Sequence, residues 1–314
     1  MSSGKAEMAQ EAKMTGKYLG RRARLGIWLV SSLALSLIFF REFWASLLTM
    51  LSPKWIFGQH HAAPWGILGL CVIWLWLTRK RLVADMETKF SPTFILLGVG
   101  MVVAAIFMPE SPDFLVFSVL MALVGVYAIL FGKGVQIPAI LLAIYGFVVT
   151  FPRLVERFIE VPYSQTAILP LVGVLNIMGY PYISQGQWIH FTSNSGEPVS
   201  VAITAACAGP TTMAVFLAIF ALMMLDMPVP PKKAAWLFLF GVVGTWLQSI
   251  IRLVILMLIG YQWGRDALFS AHSWSIYILF PLWYLLFVYL YFRQVGPQFR
   301  GKPEFNQTPI AESQ

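Results

Sequence analysis

Long apolar runs separated by short polar segments make up most of this chain. A helix that crosses the hydrocarbon core of a bilayer, which is about 30 Å thick, needs roughly 20 apolar residues. Arg41 and Glu42 interrupt the first run, and we expect them at its outer end with 43–51 in the membrane interface. The pattern predicts an all-α polytopic membrane protein with about eight transmembrane helices, at about 25–50, 63–78, 92–108, 113–131, 135–151, 208–226, 234–261 and 273–292.

One apolar stretch does not suit a simple crossing. Residues 163–183 are broken by a proline and two glycines, and a crossing there would turn the basic segments that follow to the wrong side. We predict that they form a re-entrant or interfacial helix within a long outer loop, 152–207. Residues 187–206 of this loop alternate polar and apolar positions around the sequence NSGEP, which predicts a short β-hairpin outside the membrane.

Composition supports a membrane protein. The 314 residues are 58% hydrophobic and only 11% charged, and the mean hydropathy is +0.73. A soluble domain of this length could not cover itself with so few charges. The 24 Phe, 12 Trp and 11 Tyr provide aromatic side chains for both membrane interfaces. The bilayer is therefore the expected solvent of this chain.

The distribution of positive charge predicts the orientation. The net charge is +8, but the basic residues lie in short segments between apolar runs, which argues against a nucleic-acid-binding face. With eight helices and a cytoplasmic N-terminus, most of the 22 Lys and Arg residues lie inside, as the positive-inside rule requires. We therefore predict a plasma-membrane protein with cytoplasmic tails at 1–24 and 293–314 and a membrane domain at 25–292.

Cys207 is the first candidate for chemistry. The chain has two cysteines, which make neither a disulfide framework nor a zinc site. In the predicted topology Cys207 lies at the outer end of the sixth helix, where Gly209 and Pro210 indicate a helix start. The positive end of a helix favours a thiolate. An inert buried thiol is the alternative, and it is the interpretation that suits Cys71 in the apolar sequence GLCVIWLWL.

Arg252 lies within the apolar run of the seventh helix, toward its outer half. A guanidinium at membrane depth costs roughly 2.5–3.5 kcal/mol on insertion scales, so such residues are functional by default. Gln248 and Ser249 lie on the same helical face and add hydrogen-bonding groups, which predicts a polar pocket. A structural pairing of Arg252 with a glutamate or with backbone carbonyls is the alternative.

His272 lies at the outer start of the eighth helix, on the same side of the membrane as the other two groups. An interfacial residue without a catalytic role is the alternative for it. The other histidines, His60, His61 and His190, are also predicted outside, but no carboxylate or second cysteine completes a metal-binding set with them. We therefore predict neither a metal nor a cofactor.

A cysteine, an arginine and a histidine on one membrane face form a workable site for thiol acyl transfer. The thiolate attacks a carbonyl carbon, and the histidine protonates the leaving amine and then activates the incoming nucleophile. The arginine stabilises the thiolate or the developing oxyanion. These residues are far apart along the chain, so the folded geometry has to bring them together.

The same residues resemble those of the exosortase/archaeosortase family of membrane transpeptidases, somewhat closer to the archaeosortases. The resemblance covers about residues 140–292 and rests on AACAGP with Cys207, QSIIRLVIL with Arg252 and SAHSW with His272. It also implies a histidine in the first outer loop, a position that His61 occupies in QHHAAPWGIL.

The resemblance implies a substrate as well. Such enzymes cleave secreted proteins near a short motif in a C-terminal tail, which continues with a transmembrane segment and a basic cluster. The cleaved protein would be held as a thioester and transferred to a membrane lipid or another cell-surface acceptor. The implied catalytic residues are Cys207, Arg252 and His272, and the substrate-binding or supporting residues are His61, Gly209, Gln248 and Ser249.

Two other classes of protein remain open. A polytopic lipid or glycosyl transferase would use the arginine and histidine residues on a phosphate headgroup and would not need the thiol. A transporter would need inverted repeats and polar groups near the midplane of several helices. The sequence shows no such repeat and concentrates its polar residues on one side, so the transporter is the weakest of the three hypotheses.

Overall fold

A computed structural model describes residues 23–56, 62–80, 82, 91–109 and 111–299. These residues divide into two compact units, one that ends at Phe158 and one that begins at Ile159. His61 and most of both predicted tails lie outside the described residues. The three residues predicted to carry the chemistry all belong to the second unit.

The first unit is helical. Its elements are α1 (Ala23–Phe39), α2 (Arg41–Met50), α3 (Pro53–Ile56), α4 (Ala62–Leu77), α5 (Pro92–Ile106), α6 (Pro112–Phe131) and α7 (Gln136–Phe158), with a 3₁₀ turn at Gly132–Val135. The helices α1 and α2 are bent by 94° relative to each other. The bend falls beside Arg41, where charged residues interrupt the first apolar run, and the placement of 43–51 in the membrane interface stays a prediction.

The helices α6 and α7 form an antiparallel pair. The chain turns at Gly132, where φ is 54°, a conformation that glycine adopts at little cost. Further along the pair, the rings of Phe117 and Tyr145 lie with their centroids 6.2 Å apart. Gly146 leaves room for the Phe117 ring, since a Cβ at this position would lie 2.6 Å from it.

The second unit combines helices with a small sheet. Its elements are α8 (Glu160–Ile177), β1 (Ile183–Gln185), β2 (Trp188–Thr192), β3 (Pro198–Ala202), α9 (Ala205–Ala208), α10 (Pro210–Asp226) and the long helical segment Pro231–Phe299. That last segment is two helices, because Gly264 has non-helical angles of φ 81° and ψ −171°. We call them α11 (231–263) and α12 (265–299).

The helices α10, α11 and α12 pack into a bundle around Phe216. This residue is fully buried, and its ring meets that of Phe287 edge-on with centroids 4.9 Å apart. Gly241 of α11 lies directly against the Phe216 ring, where a Cβ would collide. The Tyr284 hydroxyl donates to the Thr212 carbonyl at 2.8 Å. These contacts make α11 antiparallel to both α10 and α12.

The helix α8 accompanies only part of α11. The Trp246 indole N–H donates to the Thr166 carbonyl at 3.2 Å, and the Tyr180 ring, just after α8, meets Tyr261 edge-on at 4.6 Å. The helix α8 is therefore parallel to α11 and lies beside its second half. A re-entrant helix would be arranged in this way, and its position relative to a membrane stays a prediction.

The sheet contains the predicted hairpin. Strands β2 and β3 pair antiparallel on either side of the NSGEP sequence, and β1, which the sequence reading did not include, adds to the other edge of β2. One face carries the buried side chains of Ile189 and Val199. The opposite face carries Trp188, His190 and Ser200, with the last two joined by a 2.8 Å hydrogen bond between Nδ1 and Oγ.

The tip of this hairpin holds the turn between α11 and α12. The Asn194 backbone N–H donates to the Tyr261 carbonyl at 2.8 Å, and its side-chain amide donates to Gln262 Oε1 at 2.7 Å. The Glu197 carboxylate accepts a hydrogen bond from the backbone N–H of Arg265 at 3.4 Å. It also occupies the space that a side chain at Gly264 would need. The sheet and the helix turn are thus one structure.

Apolar helices lie at all eight positions predicted for membrane crossing. Two stretches, Phe114–Phe158 and Pro231–Val295, are long and apolar enough to cross a membrane, and the bent pair α1 and α2 makes a third. The helices α4, α5 and α10 are apolar but shorter. Because the two long stretches fold back at Gly132 and Gly264, each of them contains two helices. The number of crossings stays a prediction.

Close packing of α5 on α6 is open to test. We expect Gly98→Ala to destabilise the protein, because a Cβ there would collide with the Gly125 carbonyl and lie 2.6 Å from Ile129. Gly100 on the same helix has open space around it, so Gly100→Ala is the matched control. Overpacking of this kind costs about 1–3 kcal/mol, which a melting curve in detergent measures. Equal melting temperatures for the two variants would contradict this packing.

Candidate functional site

Cys207 lies in α9, the one-turn helix that follows strand β3. The Thr204 carbonyl accepts hydrogen bonds from the N–H groups of Cys207 at 3.0 Å and Ala208 at 3.3 Å. The thiol is half-buried, with Thr204 Oγ1 at 3.7 Å and the Ala202 carbonyl oxygen at 4.0 Å from Sγ. The sulfur is therefore held beside the backbone that leaves the sheet.

The structure differs in one respect from the helix start predicted at Cys207. Cys207 belongs to α9 and not to the first turn of α10, which begins at Pro210 as expected. Gly209 separates the two helices in a left-handed conformation with φ 89°. Because a single turn has little dipole of its own, the electrostatic environment of the sulfur has to come from another element.

Gly209 brings the cysteine turn against α11. A Cβ at this position would lie 2.5 Å from Ser249 Oγ and 2.7 Å from Thr212 Oγ1, so only glycine fits. Ser249 is buried, and its hydroxyl donates to the Thr245 carbonyl at 3.1 Å. The predicted supporting residues Gly209 and Ser249 thus touch each other, three residues along α11 from Arg252.

Arg252 is the polar centre of the second unit. It is 3% exposed, and its Nε donates to Ser275 Oγ at 2.9 Å. Its Nη2 lies 3.2 Å from His272 Nδ1 and 3.4 Å from Nε2. The Phe280 ring completes the surroundings, with its centroid 5.9 Å from Cζ, within the range of a cation–π interaction. All three partners are residues of α12, and no glutamate is among them.

The contact with Arg252 orients the His272 ring. A guanidinium can only donate hydrogen bonds, so a ring nitrogen that pairs with Nη2 acts as the acceptor, and both ring nitrogens lie within 3.4 Å of it. The Ser275 hydroxyl, which accepts from Arg252, also donates to the His272 carbonyl at 3.0 Å and so fixes one turn of α12 against the guanidinium.

Arg252 also connects to the cysteine. Gly209 brings the cysteine turn against Ser249, three residues along α11 from Arg252, so the charge of a Cys207 thiolate would act on the guanidinium. The three residues predicted as catalytic thus lie in one region of the second unit, although Cys207 and Arg252 are 45 positions apart in the chain. The alternative of a structural arginine paired with a glutamate does not describe this arrangement.

Gln248 provides a second polar group one turn from Arg252. It is 9% exposed, and neither atom of its amide has a hydrogen-bond partner among the described residues. On α11 it lies between Thr245, which accepts from Trp283 of α12 at 3.0 Å, and Arg252, which contacts α12 through Ser275. A buried amide without a partner is costly, so Gln248 is an unsatisfied polar group beside Arg252.

The sequence did not predict two members of the site, Ser275 and Phe280. Ser275 follows His272 by three residues, so helical periodicity places both on one face of α12, and this spacing was the available signal. Phe280 gave no signal, because one aromatic residue in an apolar run is ordinary.

His190 lies on the outer face of the sheet, and Cys71 is buried in the first unit. Within the described ranges, no group of three or more His, Cys, Asp or Glu side chains could hold a metal ion.

The second unit therefore defines a helical membrane protein with a buried arginine between a cysteine and a histidine. Residues 55–289 match the family model of the transmembrane exosortases. The chain belongs to this family, whose members are membrane transpeptidases that act on secreted proteins with C-terminal sorting signals. No curated protein and no solved structure matches the chain.

The contact at Gly209 gives a direct test of the site geometry. We expect Gly209→Ala to displace the cysteine turn, because it adds a clash with Ser249 and forces alanine into a left-handed conformation, at a cost of about 1–3 kcal/mol. Melting in detergent and the rate of Cys207 alkylation by a maleimide measure the change. Gly173→Ala, where the space is open, is the control, and an unchanged alkylation rate in Gly209→Ala would count against this geometry.

Proposed function

We propose that the protein is a cysteine transpeptidase in which Cys207 is the nucleophile, Arg252 stabilises the thiolate and the oxyanion, and His272 is the general acid and base. One observation carries this proposal. The guanidinium of Arg252 contacts the His272 ring, and Gly209 packs the cysteine turn against Ser249 one turn away on the same helix, so one buried charge lies near both partners. Family membership supports the same reaction class.

The spacing of charges along the helices supports a site at the outer membrane boundary. Each catalytic residue is separated by about 20 helical residues, or roughly 30 Å, from an exposed charged residue toward the other end of the bundle. The pairs are Cys207 with Asp226, Arg252 with Lys233, and His272 with Arg293. This distance equals the hydrocarbon thickness of a bilayer. With the basic residues in the cytoplasm, the site faces outward and both termini lie inside.

The same spacing explains why α11 is longer than a crossing requires. Its 33 residues, 231–263, extend about 50 Å, which leaves roughly 20 Å beyond a bilayer core. Leu253 and Met257 lie in this excess part, and they are buried against α8 and the sheet. Their apolar character therefore serves packing outside the bilayer, against α8 and the sheet.

In the acylation step, His272 takes the proton of Cys207, and the thiolate attacks the carbonyl carbon of the scissile peptide bond. A C–S bond forms, and the carbonyl oxygen becomes an oxyanion that the Arg252 guanidinium stabilises. When the C–N bond breaks, the protonated His272 gives its proton to the leaving amine. The N-terminal part of the substrate remains bound to Cys207 as a thioester.

In the transfer step, an acceptor with an amine or hydroxyl group enters in place of the departed tail. Neutral His272 removes its proton as it attacks the thioester carbon, the C–S bond breaks, and the thiolate is restored. To remove this proton, His272 uses the lone pair of one ring nitrogen, which has to turn from Arg252 toward the acceptor. A membrane lipid is the acceptor that a site at the bilayer surface would reach first.

The substrate we propose is a secreted protein whose C-terminal tail carries a motif, a transmembrane segment and a basic cluster. Its transmembrane segment would place the motif at the outer boundary, at the level of the three catalytic residues. Gln248 would bind a peptide group with its free amide, while Gly209 and Ser249 position the cysteine turn. His61 stays a proposed substrate-binding residue on the strength of the resemblance alone.

Trapping of the thioester tests the nucleophile. A labelled peptide copied from such a tail should attach to the wild-type protein through a bond that hydroxylamine cleaves, and Cys207→Ala should abolish attachment. Cys71→Ala is the matched control and should retain attachment, because Cys71 is buried in the first unit. Processing of the peptide by Cys207→Ala would reject the proposal and favour a transferase that needs no thiol.

The role of Arg252 is tested by a change that keeps its charge. Arg252→Lys should lower kcat/KM by roughly 10²-fold, because lysine lacks the planar fork that contacts Ser275 and His272 together. Arg265→Lys is the control, since that residue is exposed at the start of α12. Peptide cleavage by the purified proteins measures the effect, and a loss of less than threefold in Arg252→Lys would refute this role.

A further inference from the structure

Strand β3 forms one edge of the sheet and leads directly to the nucleophile. The strand order is β1-β2-β3, so β3 has a partner on one side only. Three residues after its last member, Ala202, comes Ala205, the first residue of the cysteine turn. A free strand edge presents backbone N–H and C=O groups to any extended chain that can pair with it.

The hydrogen bonds show which backbone N–H and C=O groups of β3 point away from β2. The Ile203 N–H donates to the Gln187 carbonyl at 2.8 Å, toward β2. Because successive residues of a strand direct their backbone groups to opposite sides, Val199 and Val201 also bond to β2. The N–H and C=O groups of Ser200 and Ala202 therefore point away from the sheet.

Two observations agree with this assignment. Pro198 begins the strand at an outward position, where its missing N–H costs no bond within the sheet. The Ala202 carbonyl oxygen lies 4.0 Å from Cys207 Sγ, so the outward side of β3 is the side of the sulfur. Across the described chain, the outward backbone groups of Ser200 have no hydrogen-bond partner, and Ser200 is exposed.

We propose that the sorting segment of the substrate binds as an added strand on the free edge of β3, next to Ser200 and Ala202. This inference rests on the proposed transpeptidase function and names how its substrate is held. An extended peptide paired there places its backbone beside the residues that lead to Cys207. Backbone groups supply the binding, and specificity comes from alternate side chains of the peptide.

The hairpin fixes the position of this strand edge relative to α11 and α12. The tip of β2 and β3 is fixed to the α11–α12 turn through Asn194 and Glu197, so the edge is rigid relative to the helices that carry Arg252 and His272. A peptide aligned on β3 would therefore arrive in a constant position relative to the guanidinium. Preorganised binding of this kind brings the reacting carbonyl close to the sulfur without a separate ordering step.

Proline substitution at the edge tests the proposal. Ser200→Pro removes one outward N–H and leaves the bonds between β2 and β3 in place. Ser184→Pro is the matched control, because Ser184 lies opposite Ile189, whose backbone groups bond to β3, so the backbone groups of Ser184 face outward on the opposite edge. Ser200→Ala controls for the loss of the bond between the Ser200 hydroxyl and His190.

Binding is measured by fluorescence anisotropy in the Cys207→Ala background, where no cleavage occurs. The probe is a labelled peptide copied from the tripartite tail of a secreted protein of the same organism. Ser200→Pro should weaken binding tenfold or more, while Ser184→Pro and Ser200→Ala should stay within twofold. Equal weakening by Ser200→Pro and Ser184→Pro would overturn the proposal.

A change in the peptide gives a second test that does not depend on how the variants fold. Methylation of single backbone nitrogens in the probe should weaken binding at every second residue, because only alternate N–H groups of an added strand face β3. Uniform effects, or none, would overturn strand addition. If alternation is seen but the wild-type protein does not cleave the peptide, strand addition stands and the transpeptidase function fails.

Discussion

A single buried guanidinium organises the second unit of this protein. Arg252 is almost fully removed from solvent, and a charge in that position is tolerated only where its hydrogen bonds are supplied. Ser275 and His272 supply them from α12, and the cysteine turn packs against Ser249, three residues away on the same helix. The need to satisfy this charge therefore brings three separate elements to one place, and that place is the candidate active site.

The remaining structure serves to keep those elements in register. Gly209 allows the cysteine turn to touch Ser249 of α11, and Gly264 reverses the chain so that α12 returns beside α11. The β-hairpin closes this turn through Glu197. A membrane protein usually builds its sites between crossing helices, whereas here a small sheet at one end of the bundle leads into the turn that carries Cys207.

The amino-acid sequence predicted much of this fold and its candidate site. Apolar runs predicted a helix at each of eight positions, since burial in lipid requires long uninterrupted hydrophobicity. The NSGEP turn predicted the hairpin, and the resemblance at three short motifs pointed to the family that the match over residues 55–289 shows. The sequence pattern predicted Cys207 at the start of a long helix. It does not show that Gly209 adopts a positive φ and divides the helix in two.

Sequence by itself determined the solvent of this protein and the positions of its helices, and it singled out the three candidate residues, because these depend on local hydrophobicity and on rare residue types. Only the tertiary structure decided that Arg252 contacts His272 and Ser275, that Gln248 is buried without a partner, and that β3 directs its free edge to the sulfur. Such contacts join residues distant along the chain, and their existence depends on packing that no local pattern records.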